Sequence, residues 1–547
     1  MRKSILFALM LVSFSALAQK KEINKVDRPK LVIGIVADQM RWDYLYRYQN
    51  HYGKGGFNRL LSSGFSFENV MITHSPSKTA VGHSVIYSGS VPAINGITGN
   101  SWVEVPSGKK MYCVSDSTVD AVGLVAGSED RDAGRMSPKN LLVTTITDEL
   151  RLATNFRSKV VGVSLKDRAS ILPAGHAANI AYWLDDVSGR FITSTYYAKD
   201  LPRWVDDFNE IKLPDQLVSK GWNTLLPIES YTQSTEDYVP WEGRFIKEKR
   251  SVFPHDLSID YNASKGTIRK TPFGNTLTLE FAKRALEGHD LGKGEETDFL
   301  TVNLASTDYV GHMYGPNSVE IEDVYIRLDR DLEAFFDYLD KKIGKSNYLV
   351  FLTADHGAAH VPAFLTEQKI PSGVLNGGTV RKALNKVLNE EFGQKDLVTS
   401  VLNDRVHFDK AKIKTADEYE KIKRSAINIL GAIEGVQMVV DLENIDKEAV
   451  PEPIKSMLVN GYNRKRSGPL VIVPEPAWFA GSKTGTTHGV WNPYDTHIPL
   501  VFMGWNISKG KSNQLHSMTD IAPTLAALLK IQMPNGCVGK PLTEILP

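Results

Sequence analysis

Leu31-Val32-Ile33-Gly34-Ile35-Val36-Ala37 is an unbroken apolar run that ends at Asp38. A run this short, rich in β-branched side chains and closed by a charge, reads as a strand buried on both faces, as in a parallel sheet. Four more runs have the same form: Lys159 to Leu165 ending at Lys166, Phe299 to Ala305 followed by Asp308, Tyr348 to Ala354 ending at Asp355, and Ile498 to Met503. Helical patterns lie between them. Ser137 as N-cap, Pro138 in the first turn and the stripe Leu141, Leu142, Thr145, Ile146 and Leu150 predict one helix. Ser318 to Lys342, stopped by Gly344, predicts a second. Strands alternating with helices imply βαβ crossovers, and so an α/β fold with a mainly parallel central sheet covered by helices on both faces. Ligands in such sheets sit beyond the C-terminal ends of the strands, so the polar residues that close these runs belong on one rim.

Two stretches break the alternation. Residues about 169–273 are rich in Trp, Tyr, Pro and Asp without a sustained period, and predict a loop-rich cap over the rim. Residues about 366–485 carry helical patterns beside a short β-like Val436 to Val440, and predict an inserted subdomain. Both read as insertions within one domain that runs from residue 19 to 547.

The chain has 547 residues, with 64 Lys+Arg against 63 Asp+Glu and two Cys. That balance supplies no basic field to hold nucleic acid phosphates or anionic lipid, so neither is an expected partner. Arg2-Lys3, the apolar run Ile5 to Val12 and Ala16-Leu17-Ala18 form a secretory signal peptide with cleavage near Ala18. The apolar run is shorter than the about 20 residues a membrane anchor needs, so a periplasmic or secreted protein without a stable anchor is expected. Export puts Cys113 and Cys537 in an oxidising space; whether they pair is open at this level.

Ligand chemistry gathers at the strand ends: Asp38, Asp308-Tyr-Val-Gly-His312, Asp355-His356, and His488 in Thr486-Thr487-His488-Gly489. Carboxylate oxygen and imidazole nitrogen are zinc donors, and Asp308 and His312 share a face if a helical turn begins there. Asp355 and His356 diverge in an ideal strand, so the chain must turn there, which Gly357 permits. Each piece alone is commonplace, since such pairs often serve as caps or turn residues. Their coincidence at the ends of buried strands is what carries weight, and six ligands suffice for two metals with three apiece.

Thr79 lies in His74-Ser-Pro-Ser-Lys-Thr79-Ala-Val-Gly-His83, where a loop feeds a short helical pattern that stops at Gly89. A helix N-terminus there aims free N–H groups at an anion. Taken alone, Thr79 reads as an N-cap; beside metals, its hydroxyl becomes a candidate nucleophile toward phosphorus.

Asp38, Thr79, Asp308, His312, Asp355, His356 and His488, in this order, resemble the two-zinc framework of the alkaline phosphatase superfamily, and most of all its monomeric, periplasmic, phosphate-irrepressible alkaline phosphatases. The resemblance spans nearly the whole mature chain. It implies an alkaline phosphatase fold and an exported phosphate monoester hydrolase of broad scope that works through a phosphothreonine. It assigns Asp308, His312 and His488 to the zinc beside the leaving oxygen, and Asp38, Asp355 and His356 to the zinc that activates Thr79. Phosphate contacts are implied for Asn100, in Gly96-Ile-Thr-Gly99-Asn100, and for Lys166 and Arg168, in Ser164-Leu-Lys166-Asp-Arg168. Lys and Arg suit the three nonbridging oxygens of a monoester dianion. The best-known alkaline phosphatases use serine, a nearby arginine and a third site for magnesium; no magnesium set is evident here, and the Lys166 amino group is expected in that space.

Two alternatives compete. Nucleotide pyrophosphatase/phosphodiesterases resemble this metal set and use threonine, but lack the Lys/Arg pair. An exported protein that binds phosphate or metal without turnover is the other, although all seven positions of the framework are filled. Sulfatases need a C/S-x-P-x-R motif that is absent near Thr79, and the phosphoglycerate mutases of the superfamily are cytosolic.

Overall fold

The computed structural model describes residues 26–125, 132–482 and 484–546. The expected signal peptide lies outside the described residues. Among the described residues, no helix is long and apolar enough to cross a membrane.

Five strands make the parallel heart of the main sheet, in the order Tyr348–Thr353, Leu31–Ala37, Asp298–Leu304, Val160–Ser164 and Ile180–Leu184. Every residue of these five strands is buried, as continuous apolar runs demand. Register sets the rim. Val36 pairs with both Thr353 and Asn303, and Ser164 pairs with Asn303, so the four central strands end level with one another. Asp38, Asp355, Lys166 and the helix Ser306–Tyr314 therefore leave the sheet side by side.

The expectation of parallel pairing fails for the run Ile498 to Met503. Its strand, His497–Gly504, runs antiparallel to both Tyr348–Thr353 and Phe65–Met71. Apolar continuity reports burial on both faces and is silent about direction. The predicted helix from Ser137 also divides. Ser137 caps only a 3₁₀ turn, Pro138–Asn140, and the α-helix is Ile146–Ala153, started by a capping box between Thr145 and Asp148. Leu142 lies in the link and is exposed. The second predicted helix forms as Val319–Lys342, capped by the Ser318 hydroxyl, with Gly344 at φ 94° beyond its end.

Within 169–273, strands Ile180–Leu184 and Phe191–Ser194 extend the main sheet, so this part of the expected cap belongs to the sheet itself. Their alternation was hidden because both faces are covered. Farther on, four strands in the order Val398–Leu402, Arg405–Phe408, Leu470–Pro474 and Val436–Asp441 form a separate sheet under helices Gly377–Phe392 and Ala416–Gly431. They enclose an apolar core of their own around Leu384, Val406, Ile422 and Leu470. Cys113 and Cys537 are both free thiols, the first buried and the second partly exposed.

Candidate active site

Asp308 and His312 stand in the first and last turns of helix Ser306–Tyr314, as the spacing predicts, with His312 Nε2 3.1 Å from Asp308 Oδ1. His488 comes from a distant loop and brings its Nε2 to 3.6 Å from the same oxygen. Across the rim, His356 Nε2 lies 3.3 Å from Asp355 Oδ2 and 3.7 Å from Asp38 Oδ1. Gly357 does more than permit the turn after His356: a Cβ there would lie 2.3 Å from Tyr494 O, so a side chain is excluded by close approach. Among the described residues, donor atoms fall into three groups, each within 4.8 Å: Asp308, His312 and His488; Asp38, Asp308 and His356; and Asp38, His83 and Asp355.

Four observations test whether this donor set fits metal. Each imidazole has its Nδ1 at a backbone carbonyl: His312 at Thr486 O (2.8 Å), His488 at Ser77 O (2.7 Å) and His356 at Gly357 O (3.0 Å). A proton on Nδ1 satisfies those carbonyls and leaves the Nε2 lone pair facing the cluster, which is the usual outer support of a metal-bound histidine. Burial lowers the pKa of His356 to about 4 and that of His488 well below its ordinary value, so both are neutral donors at working pH. Asp38 Oδ1 and Asp355 Oδ2 are buried without a hydrogen-bond donor. Burial and the charge of Asp355 push the Asp38 carboxyl well above its usual range, the mark of a carboxylate held for a cation. The residues fit divalent metal.

Lys166 joins the two halves. Its Nζ lies 2.8 Å from Asp38 Oδ2 and 2.6 Å from Asp308 Oδ2. Burial opposes the charge, but Asp308 and Asp38 outweigh it and raise the Lys166 pKa. Thr79 is the first residue of helix Thr79–Ser88, with Lys78 as N-cap, so it is not itself the cap. Its Oγ1 faces His356 Nε2 at 3.5 Å. Asn100 accepts the Ala80 N–H through Oδ1 at 2.9 Å, which leaves its amide nitrogen free beside Thr79. Arg168, in the first turn of helix Asp167–Ala174, sits farther out. Its Nη1 donates to Tyr112 OH at 3.2 Å, and that hydroxyl donates to Asp167 Oδ1 at 2.6 Å.

Sequence reasoning passed over three supporting residues. His83, one helical turn beyond Thr79, has Nδ1 2.8 Å from Thr79 O and 3.3 Å from Asp355 Oδ2; the i, i+4 spacing was the available signal. Gln39 binds Asp355 Oδ1 through its backbone N–H (3.1 Å) and Asp308 Oδ1 through its side-chain amide (2.7 Å). Asn303 donates to Asp38 Oδ2 at 3.2 Å. Nothing in the local sequence of the last two marks them out.

A model of the family described as type I phosphodiesterase / nucleotide pyrophosphatase matches residues 32–504. The chain belongs to this family, within the alkaline phosphatase superfamily. Alkaline phosphatase PafA of Elizabethkingia meningoseptica is 54% identical over 547 residues, covering 100% of this chain and 99% of that protein. Alkaline phosphatase PhoV of Synechococcus elongatus is 52% identical over 541 residues, covering 97% of each. The crystal structure of wild-type PafA superposes with a TM-score of 0.92 at 54% identity, over 96% of this chain and 100% of that one. Membership of this superfamily implies a metal cofactor, in keeping with the donor clusters on the rim.

Proposed function

We propose that the protein is an alkaline phosphatase: an exported, monomeric hydrolase of small phosphate monoesters that acts through a phosphothreonine on Thr79 with two zinc ions. One observation carries the reading: the Thr79 hydroxyl at the N-terminus of a buried helix, 3.5 Å from His356 Nε2, in the midst of three converging donor groups. Asp38, Asp355 and His356 would hold one zinc beside Thr79, with His83 at its edge; Asp308, His312 and His488 would hold the other. When bound, the pair lowers the pKa of the nucleophilic hydroxyl and offsets charge on the attacking and leaving oxygens.

The chain's own residues do the rest. The positive dipole end of helix Thr79–Ser88 would face the phosphoryl group, with the Ala80 N–H spent on Asn100 Oδ1. The Asn100 amide and the Lys166 ammonium supply donors from two further sides, and Arg168 closes the outer one, its orientation set by Tyr112 and Asp167. Lys166 lies between the carboxylates of both metal groups, the place expected for a third cation, which supports its standing in for magnesium. Full-length relatives named alkaline phosphatases favour monoesters over the diesters in the family's description. Side-by-side kcat/KM on p-nitrophenyl phosphate and bis-p-nitrophenyl phosphate, with metal analysis, tests the reading. Faster diester turnover, or less than two equivalents of zinc in active protein, would overturn it.

A further inference from the structure

One hairpin of the separate four-stranded sheet reaches the loops of the rim. Its strands Val398–Leu402 and Arg405–Phe408 are joined by Asn403-Asp404, both with positive φ (54° and 58°), the mark of a two-residue hairpin turn. The tip of that hairpin reaches the loop that carries Asn100. Asn403 Nδ2 donates to Ser101 O at 2.8 Å, and a Cβ on Gly99 would meet the same nitrogen at 2.3 Å. Asn403 thus rests on the residues immediately before and after Asn100. Next in the chain, Arg405 Nη2 donates to Ser75 O at 2.9 Å, on the loop that leads to Thr79. Helix Ile454–Asn460 holds that loop as well, through Ser75 N to Met457 O (3.0 Å) and Asn460 Nδ2 to Thr73 O (2.7 Å).

We infer that Asn403 is a positioning residue for catalysis: by gripping Gly99 and Ser101 it sets the angle at which the Asn100 amide meets the transferring phosphoryl group. The inference rests on the proposed role of Asn100. The carboxamide of Asn100 is tied to the rim only through Oδ1 and Ala80 N, so its backbone must be held from the other side. Cys113 N, bonded to Asn100 O at 3.0 Å, and the pairing of Ser101 with Tyr112 hold the chain on one side, and the Asn403 amide bears on it from the other, at Gly99 and Ser101. A donor misplaced by about 1 Å loses much of its worth in the transition state.

The test is a double-mutant cycle on the zinc-loaded full-length enzyme. Asn403→Gly keeps the left-handed turn and removes the amide; Asn403→Ser is a second variant that tolerates the turn with a shorter side chain. Both should lower monoester kcat/KM roughly tenfold, with zinc content and Tm near wild type. In an Asn100→Ala background, the same substitutions should cost less than about twofold, because the group they position is gone. An equal loss in both backgrounds would show a general structural effect and overturn the inference, as would no loss from either Asn403 variant. Failure of the parent reading is separate and visible: Asn100→Ala alone would then leave kcat/KM unchanged.

Discussion

The Lys166 ammonium stands 2.6 Å from Asp308 Oδ2, on a strand end two places along the sheet from Asp38, whose Oδ2 it also meets at 2.8 Å. A single buried cation thereby ties a carboxylate of one metal group to a carboxylate of the other. Substitution of Lys166 by Ala leaves both acids uncompensated and, on the role proposed for it, removes a donor to the phosphoryl oxygens. Monoester kcat/KM should fall on the order of 10²-fold or more, with a smaller loss on a diester, which presents one fewer charged oxygen. Arg168→Ala should follow the same pattern. Equal losses on the two substrates, measured side by side, would contradict the roles given to this pair.

Thr79→Ala should reduce p-nitrophenyl phosphate turnover on the order of 10³-fold or more while zinc content stays near that of wild type, since none of the six Asp and His residues proposed as ligands is touched. Thr79→Ser should retain a hydroxyl and hence measurable turnover. Acid quench of the wild-type enzyme with labelled substrate should trap phosphate on Thr79. A label on another residue would rule out the assignment.

Removal of metal with a chelator should abolish activity and lower Tm, because Asp38, Asp355 and Asp308 are then left crowded in a buried site with Lys166 as their nearest cation. Zinc should restore both. Restoration by calcium alone would argue against the imidazole donors acting as ligands, since calcium takes oxygen.

His74 sets part of the acid limit of the fold. It is wholly buried, neither ring nitrogen has a hydrogen-bond partner, and burial lowers its pKa from 6.5 to about 3. A histidine lowered in the folded state binds fewer protons there than when unfolded. Stability is therefore fully present above pH about 6.5 and is lost as pH falls toward 3, by about 1.4 kcal/mol per unit at most. His74→Leu should flatten urea-unfolding free energies across pH 4–6.5 relative to wild type. An unchanged slope would show that other groups set the dependence.

How far the fold and the site were legible can be read from particular residues. Hydrophobic runs closed by Asp38, Lys166 and Asp355 located the rim, because burial on both faces leaves a strand no polar choices until it ends. The Asp308/His312 spacing located a helical turn for the same reason that i and i+4 share a face. Strand direction in His497–Gly504 was not legible, since apolar continuity carries no polarity, and the break between Pro138–Asn140 and Ile146–Ala153 depended on the capping box at Thr145.

The amino-acid order alone thus determined which atoms were available: acids and imidazoles at strand ends, a threonine at a helix start, two cations at one rim. Only the tertiary structure decided which of them meet. Gln39 between Asp308 and Asp355, Lys166 between Asp38 and Asp308, and Asn403 on the residues flanking Asn100 join positions up to 316 residues apart. Local periodicity extends over a few turns of chain, whereas contacts at that separation are set by sheet register and by which loops the crossovers bring to the same edge.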